Sequence, residues 1–229
     1  MSSPKKEKVT CPACKTLIDR WCWRTIDLRR HPEAYEKLKT GAYFKTLCPS
    51  CGRAVYEEYS MVCYDKLSGA FIQFVAGTDL EPFFYLDELL EEGQRLSKVN
   101  DRDDFAEKVH ILQHGRDDRI VEMCKFWTLW QFFMRVSGFD LERQYYSAEG
   151  GKELIVFENA AGERATADFP NNLYRLFDAA YRDVLKRVKA KYDEYDTEWA
   201  DGFVREHLDL LERTAVELKG KGETNGNEE

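Results

Sequence analysis

Seven cysteines stand at positions 11, 14, 22, 48, 51, 63 and 124. Four of them form two tight pairs, Cys11-Pro12-Ala13-Cys14 and Cys48-Pro49-Ser50-Cys51. A two-residue spacer bends so that both sulfurs face one point. Two such turns supply four thiolates, enough for a closed tetrahedral shell with zinc–sulfur bonds of about 2.3 Å. Pro12 and Pro49 stiffen each bend by fixing φ. Gly52 allows the left-handed backbone that such a turn adopts. Lys15 holds the matching place after the first pair, where a side chain must be tolerated. Lys15 and Arg53 can offset the negative charge of a four-thiolate centre. The expectation is one structural zinc ion on Cys11, Cys14, Cys48 and Cys51. Four protein ligands leave no open position, so the ion holds structure and does not activate water. Iron in electron transfer uses the same donor set, and redox-active dithiols use similar spacing, so both stay open as alternatives. A thioredoxin-type motif needs one pair opening a helix in a βαβ setting, and neither pair does.

Other groupings are weaker. His110 and His114 are four apart on one expected helix, with Glu107 a turn before, which suggests a second metal site. The glutamate of an HExxH motif is missing, and a plain helix end explains both histidines. The pairs Asp103-Asp104 and Asp117-Asp118 read as helix caps before they read as acids for metal-assisted hydrolysis. Arg20, Trp21, Trp23, Arg24, Arg29 and Arg30 interleave aromatics with arginines, a pattern that can stack single-stranded nucleic acid. Strand alternation offers a plainer reading, with Trp21 and Trp23 in the core and Arg20, Cys22 and Arg24 on the other face. Cys22, Cys63 and Cys124 read as small buried apolar residues, and His207 as a residue on a helix surface. No phosphate loop, nucleophile elbow or dinucleotide fingerprint is present.

Local elements must position the two cysteine turns. Residues 1–8 read as a loose basic lead. Arg20–Leu28 reads as a strand, rich in aromatic and β-branched residues. Pro32–Thr40 reads as a helix closed by Gly41. It fills the 33 residues between Cys14 and Cys48, more than the usual ribbon spacing of about 15–20. Ala42–Leu47 leads into the second pair. Ala54–Tyr64 and Ala70–Ala76 form a hairpin across Ser68-Gly69. Beyond residue 77 the pattern changes. Leu86–Gln94 suggests a short acidic helix. Helices are expected over 101–112, 117–137, 172–195 and 203–218, with strands inside 141–169. The apolar end of the second of these, Phe126–Met134, reads as a buried spine. Val204, Leu208, Leu211, Ala215 and Leu218 form a short heptad-like seam, either a bundle face or a dimer contact. Residues 219–229 read as a disordered tail.

The chain has 229 residues, 43% hydrophobic and 14% aromatic, enough for a packed core. No apolar run reaches the 18 residues of a membrane span. The polar, lysine-rich start is not expected to be a secretory signal. An odd cysteine count and paired spacing point to a reducing cytoplasm. Net charge is −8, yet residues 1–53 hold 12 Lys/Arg against 5 Asp/Glu. A basic head on an acidic body permits a polyanion contact at the head alone.

The doubled Cys-Pro-x-Cys, preceded by Val9-Thr10, resembles the CpXC domain of bacterial proteins. The segments WRTIDLRRHPEAYEKLKTG, LCPSCGR and AFIQFV resemble the same family over about residues 8–77. FAEKVHILQHGRDDRIVEMCK, residues 105–125, is similar to its longer members. The resemblance implies a zinc ribbon-like head with Cys11, Cys14, Cys48 and Cys51 as ligands. It brings no biochemical activity.

The expected fold class is α+β. A small β-rich zinc ribbon-like head with an inserted helix covers residues 9–77, and a mixed helical and antiparallel-strand body covers 78–218. The expected function is non-enzymatic: a structural zinc site supporting a protein-interaction or regulatory module. A nucleic-acid-binding head is the alternative, and an enzyme with its site in the body the third reading. The expected partner is a protein, with no membrane, and the C-terminal helix offers a homo-oligomer contact.

Overall fold

The computed structural model of the chain describes residues 4–77, 90–91, 93–188 and 195–224. The fold is α+β, in two compact units that divide between Gly115 and Arg116.

The first unit opens with an antiparallel pair, β1 (Lys5–Thr10) and β2 (Leu17–Cys22). After β3 (Thr25–Asp27) and the helix α1 (Ala34–Lys39) comes a second short pair, β4 (Lys45–Leu47) and β5 (Ala54–Tyr56). The strands β6 (Met61–Asp65), β7 (Ala70–Phe74) and β8 (Arg95–Val99) join β3 in a four-stranded sheet of order β3-β6-β7-β8. Its centre is the antiparallel β6–β7 hairpin, and both edge strands are parallel additions.

Three expectations change here. From Lys5 onward the basic lead is not loose, because Lys5–Thr10 pairs along its whole length with β2. The expected strand Arg20–Leu28 breaks at Trp23-Arg24, and the expected strand Ala54–Tyr64 breaks over 57–60. Each broken strand gives one half to a cysteine-bearing hairpin and the other half to the four-stranded sheet. Tyr59 stitches the two breaks together. Its hydroxyl accepts from the Trp23 N–H at 2.9 Å and donates to the Tyr43 carbonyl at 3.1 Å. The guanidinium groups of Arg20 and Arg24 lie 5.1 and 5.3 Å from its ring centroid.

Burial in β2 alternates, with Ile18, Arg20 and Cys22 inside. The tryptophan reading is therefore inverted within β2, where Trp21 is 61% exposed while Arg20 and Cys22 are buried; Trp23, past the break, is half-buried and packs against the core as expected. Burying Arg20 is tolerable because Nη1 donates to the Glu57 carbonyl at 3.0 Å and the cation rests on Tyr59.

The head was expected to end near residue 77, but its sheet gains β8 from beyond that point. It also gains a cover, the helix α2 (Arg102–Gln113). Asp101 caps α2 by accepting from the Asp103 and Asp104 N–H groups. Phe105, Ala106, Val109 and Leu112 of α2 share one core with Ile26, Leu38, Phe44, Met61, Ile72 and Phe74. The acidic helix expected over Leu86–Gln94 falls largely outside the described residues.

The second unit starts with α3 (Asp118–Arg135), followed by a meander of β9 (Leu141–Glu149), β10 (Lys152–Asn159) and β11 (Arg164–Asp168). Gly150 and Gly151 turn β9 into β10 with φ of 64° and 79°, the doubly left-handed turn that tight hairpins prefer. α4 (Asn171–Leu185), α5 (Thr197–Glu206) and α6 (Leu208–Thr224) complete it. The helix expected over 172–195 ends at Leu185, and residues 189–194 lie outside the described residues. The helix expected over 203–218 is two helices that meet at His207, the C-cap of α5. α6 continues to Thr224, into the segment expected to be disordered; residues 225–229 lie outside the described residues.

The expected buried spine is inverted too. The first half of α3, from Asp118 to Lys125, is buried, charges included. Lys125 Nζ pairs there with Glu122 at 3.2 Å, and Arg119 donates to the Leu185 carbonyl at 2.9 Å. In the aromatic second half Trp127, Trp130, Phe133 and Met134 are exposed. No described helix is long and apolar enough to cross a membrane.

Candidate metal centre

The two cysteine pairs sit in the turns of the two short hairpins. Cys11–Cys14 joins β1 to β2, and Cys48–Cys51 joins β4 to β5. The turns have one design. In the first, the Cys11 N–H donates to the Thr16 carbonyl and the Lys15 N–H to the Cys11 carbonyl, both at 2.9 Å. In the second, the Cys48 N–H donates to the Arg53 carbonyl and the Gly52 N–H to the Cys48 carbonyl, both at 2.9 Å. Lys15 and Gly52 take left-handed φ at the same offset, 62° and 71°. This is the equivalence the sequence spacing implied.

All four sulfurs lie within 4.8 Å of one another. Cys11 Sγ is 3.7 Å from Cys51 Sγ, and Cys14 Sγ is 3.6 Å from Cys48 Sγ. A regular tetrahedron with bonds of about 2.3 Å has edges of about 3.8 Å. A disulfide needs sulfurs about 2.05 Å apart, and all seven cysteines are free thiols. Cys11 and Cys48 are buried, Cys14 and Cys51 exposed. Around them the core is small: Val9, Ile18 and Val55 with Cys11 and Cys48.

The turns also prepare the sulfurs electrically. The Cys14 N–H, with that of Ala13, points at Cys11 Sγ and holds that thiol below its ordinary value, against desolvation. The hydroxyl and N–H of Thr16 bring Cys14 down to about 6. Cys51 receives the Arg53 N–H, which favours its thiolate. Desolvation and the other three thiols outweigh it and push Cys51 up to about 11. Four adjacent thiolates repel one another, so a bound cation is what lets the last of them ionise. The donor set, the distances and the prepared turns fit a four-coordinate metal ion.

One family model, described as CpXC protein, matches residues 9–125. That is more than half of the chain, and it includes both cysteine pairs. The chain belongs to the CpXC family. A search of curated proteins and a search of solved structures each found no match. The CpXC match runs past residue 77 through β8 and α2, the elements that complete the first unit's sheet and core.

The remaining sequence candidates divide. Among the described residues the four cysteines are the one group of three or more ligand-type side chains that gather for a metal. Glu107, His110 and His114 do not form a second such group. Glu107 and His110 are buried, His110 stacks on Tyr35 at 3.8 Å, and His114 Nδ1 lies 2.9 Å from the His110 carbonyl. Both histidines line a cavity of about 510 Å³ shared with Arg29, Glu36 and Asp65. It lies in the first compact unit, which takes in both the head and the opening stretch of the expected body, where His110 and His114 stand. Cys22, Cys63 and Cys124 are fully buried, and desolvation raises all three thiols. The arginines expected to face nucleic acid divide: Arg20 and Arg24 are held internally, while Arg29 and Arg30 are exposed. Arg24 pairs with Glu7 at 2.9 Å, Arg29 with Asp65 at 2.8 Å, and Arg20 is buried on Tyr59.

Sequence reasoning missed the exposed face of α3. Trp127, Trp130, Phe133 and Met134 recur at helical spacing and are 41%, 57%, 50% and 70% exposed. No signal in the sequence marked it, because an i,i+3 charge pair such as Glu122 and Lys125 is ordinarily a surface feature and here is buried.

Proposed function

We propose that this CpXC chain is a non-enzymatic interaction module, with its head held by one structural zinc ion on Cys11, Cys14, Cys48 and Cys51. Zinc suits four thiolates in a closed shell, and such a shell has no position for a substrate. Thiolate ligands need a reducing compartment, which supports a cytoplasmic location. The observation that carries the interaction reading is the aromatic face of α3. Four large apolar side chains on successive turns present on the order of several hundred Å² to solvent, an extent that marks contact sites. Their surroundings suit a protein partner, since Phe126–Phe139 contains a single charged residue, Arg135, and interface cores are poor in charge and rich in aromatics. Leu208, Val216 and Leu218 of α6 are also exposed and are the residues to test for self-association.

The test has two parts. Elemental analysis of the purified chain should give one zinc per molecule; one iron per molecule would overturn the structural-zinc reading. The tagged chain should then be recovered gently from its own cells, with and without nuclease. A defined protein should remain after nuclease and be lost in a Trp130→Ser, Met134→Ser variant that melts like the parent. Company that vanishes with nuclease would overturn the protein-interaction reading.

A further inference from the structure

A second cavity, of about 270 Å³, lies in the first unit beside the cysteine-bearing hairpins. Its walls include three cations, Arg20, Lys37 and Lys45, and four aromatic rings, Trp21, Trp23, Tyr43 and Phe44. None of its lining residues is acidic. The rings are set by the fold: Trp23 meets Tyr43 edge to face at 6.3 Å. Lys37 Nζ lies 5.5 Å from the Tyr43 ring centroid, tied to Glu33 at 3.1 Å. Trp21 and Lys45 are exposed.

We propose that this cavity binds a planar aromatic ring carrying a phosphate, the chemistry of a nucleotide. The ring stacks on the tryptophans, which accept any base because every base has a π-face. Lys37 and Lys45 take the phosphate. A volume of about 270 Å³ is near the lower end of small-molecule pockets, room for one ring and its substituent. Free mononucleotides and single nucleotides of an unpaired strand share this chemistry. The site uses none of the α3 face, so it stands or falls apart from the interaction reading.

The test is calorimetric titration of the full, metal-loaded chain with adenosine monophosphate, adenosine, inorganic phosphate and a short oligothymidylate. The monophosphate or the oligonucleotide should bind. Adenosine and phosphate should each bind at least about tenfold more weakly, since each lacks one half of the recognition. Lys45→Glu and Trp21→Ala, at exposed positions, should each weaken binding about tenfold with metal content and melting unchanged. Tighter binding of the oligonucleotide, with a steep salt dependence, assigns the site to a single strand; tighter binding of the monophosphate assigns it to a free nucleotide. No binding of either probe, equal binding of phosphate alone, or no effect of Lys45→Glu would overturn the proposal.

Discussion

Lys15 and Gly52 occupy equivalent left-handed positions, one after each cysteine turn, with φ of 62° and 71°. A side chain in this region costs about 1–2 kcal/mol. A Cβ on Gly52 would meet nothing within 4 Å, so backbone conformation alone sets the difference between the two turns. Lys15→Gly should therefore stabilise the metal-loaded chain by about 1 kcal/mol, and Gly52→Lys should destabilise it by a similar amount. Denaturant midpoints of the two variants check this. A loss of stability in Lys15→Gly would show that the lysine side chain contributes more than its backbone strain costs.

The four paired cysteines should control the folding of both hairpins. Structural zinc contributes on the order of 10–16 kcal/mol in small peptides, while the hairpin core holds only Val9, Ile18 and Val55 besides the cysteines. Cys48→Ser or Cys14→Ser should abolish stoichiometric metal and disorder both hairpins. Elemental analysis and amide exchange across residues 5–22 and 45–56 are the measurements. Unchanged metal and unchanged protection would show that the four sulfurs do not hold an ion.

Tyr59 should matter more through its oxygen than its ring. Tyr59→Phe keeps the cation contacts of Arg20 and Arg24 but leaves the Trp23 N–H and the Tyr43 carbonyl without their shared partner. Stranding buried polar groups costs about 1–3 kcal/mol each. The expected loss is about 2 kcal/mol, read from urea unfolding. A variant as stable as the parent would mean that water replaces the hydroxyl.

In the body, Glu153 accepts from Arg116 Nε at 2.9 Å and Nη2 at 2.5 Å, and from the Tyr146 hydroxyl at 2.6 Å. The Arg116 bonds, followed by that of Tyr146, hold its carboxyl below the ordinary value despite desolvation. A depressed carboxylate stabilises the fold above its unfolded pKa of about 4.3, and that share is lost as pH falls through the folded value. Glu153→Gln should cost about 2 kcal/mol at neutral pH, with the gap to the parent closing below about pH 4. Melting curves across that range test the sign. A gap that stays constant with pH would assign the loss to packing.

The amino-acid sequence by itself determined the cysteine turns. Their geometry is local: the bonds that shape each turn join residues no more than five apart, so spacing, proline and the left-handed position were sufficient to place Cys11, Cys14, Cys48 and Cys51. The cap at Asp117 was legible for the same reason, whereas at α2 the cap is Asp101 and not the Asp103-Asp104 pair that the sequence suggested. Only the tertiary structure decided where the strands broke and which faces were covered. Nothing in the Arg20–Leu28 segment reveals that a tyrosine far along the chain takes the Trp23 N–H and lets the strand change sheets. Periodicity finds the apolar residues of α3, but burial depends on what packs against them. The paired charges of Glu122 and Lys125 went inside, and Trp127, Trp130, Phe133 and Met134 stayed at the surface. Hydrophobicity states what burial is worth; only packing states which residues receive it.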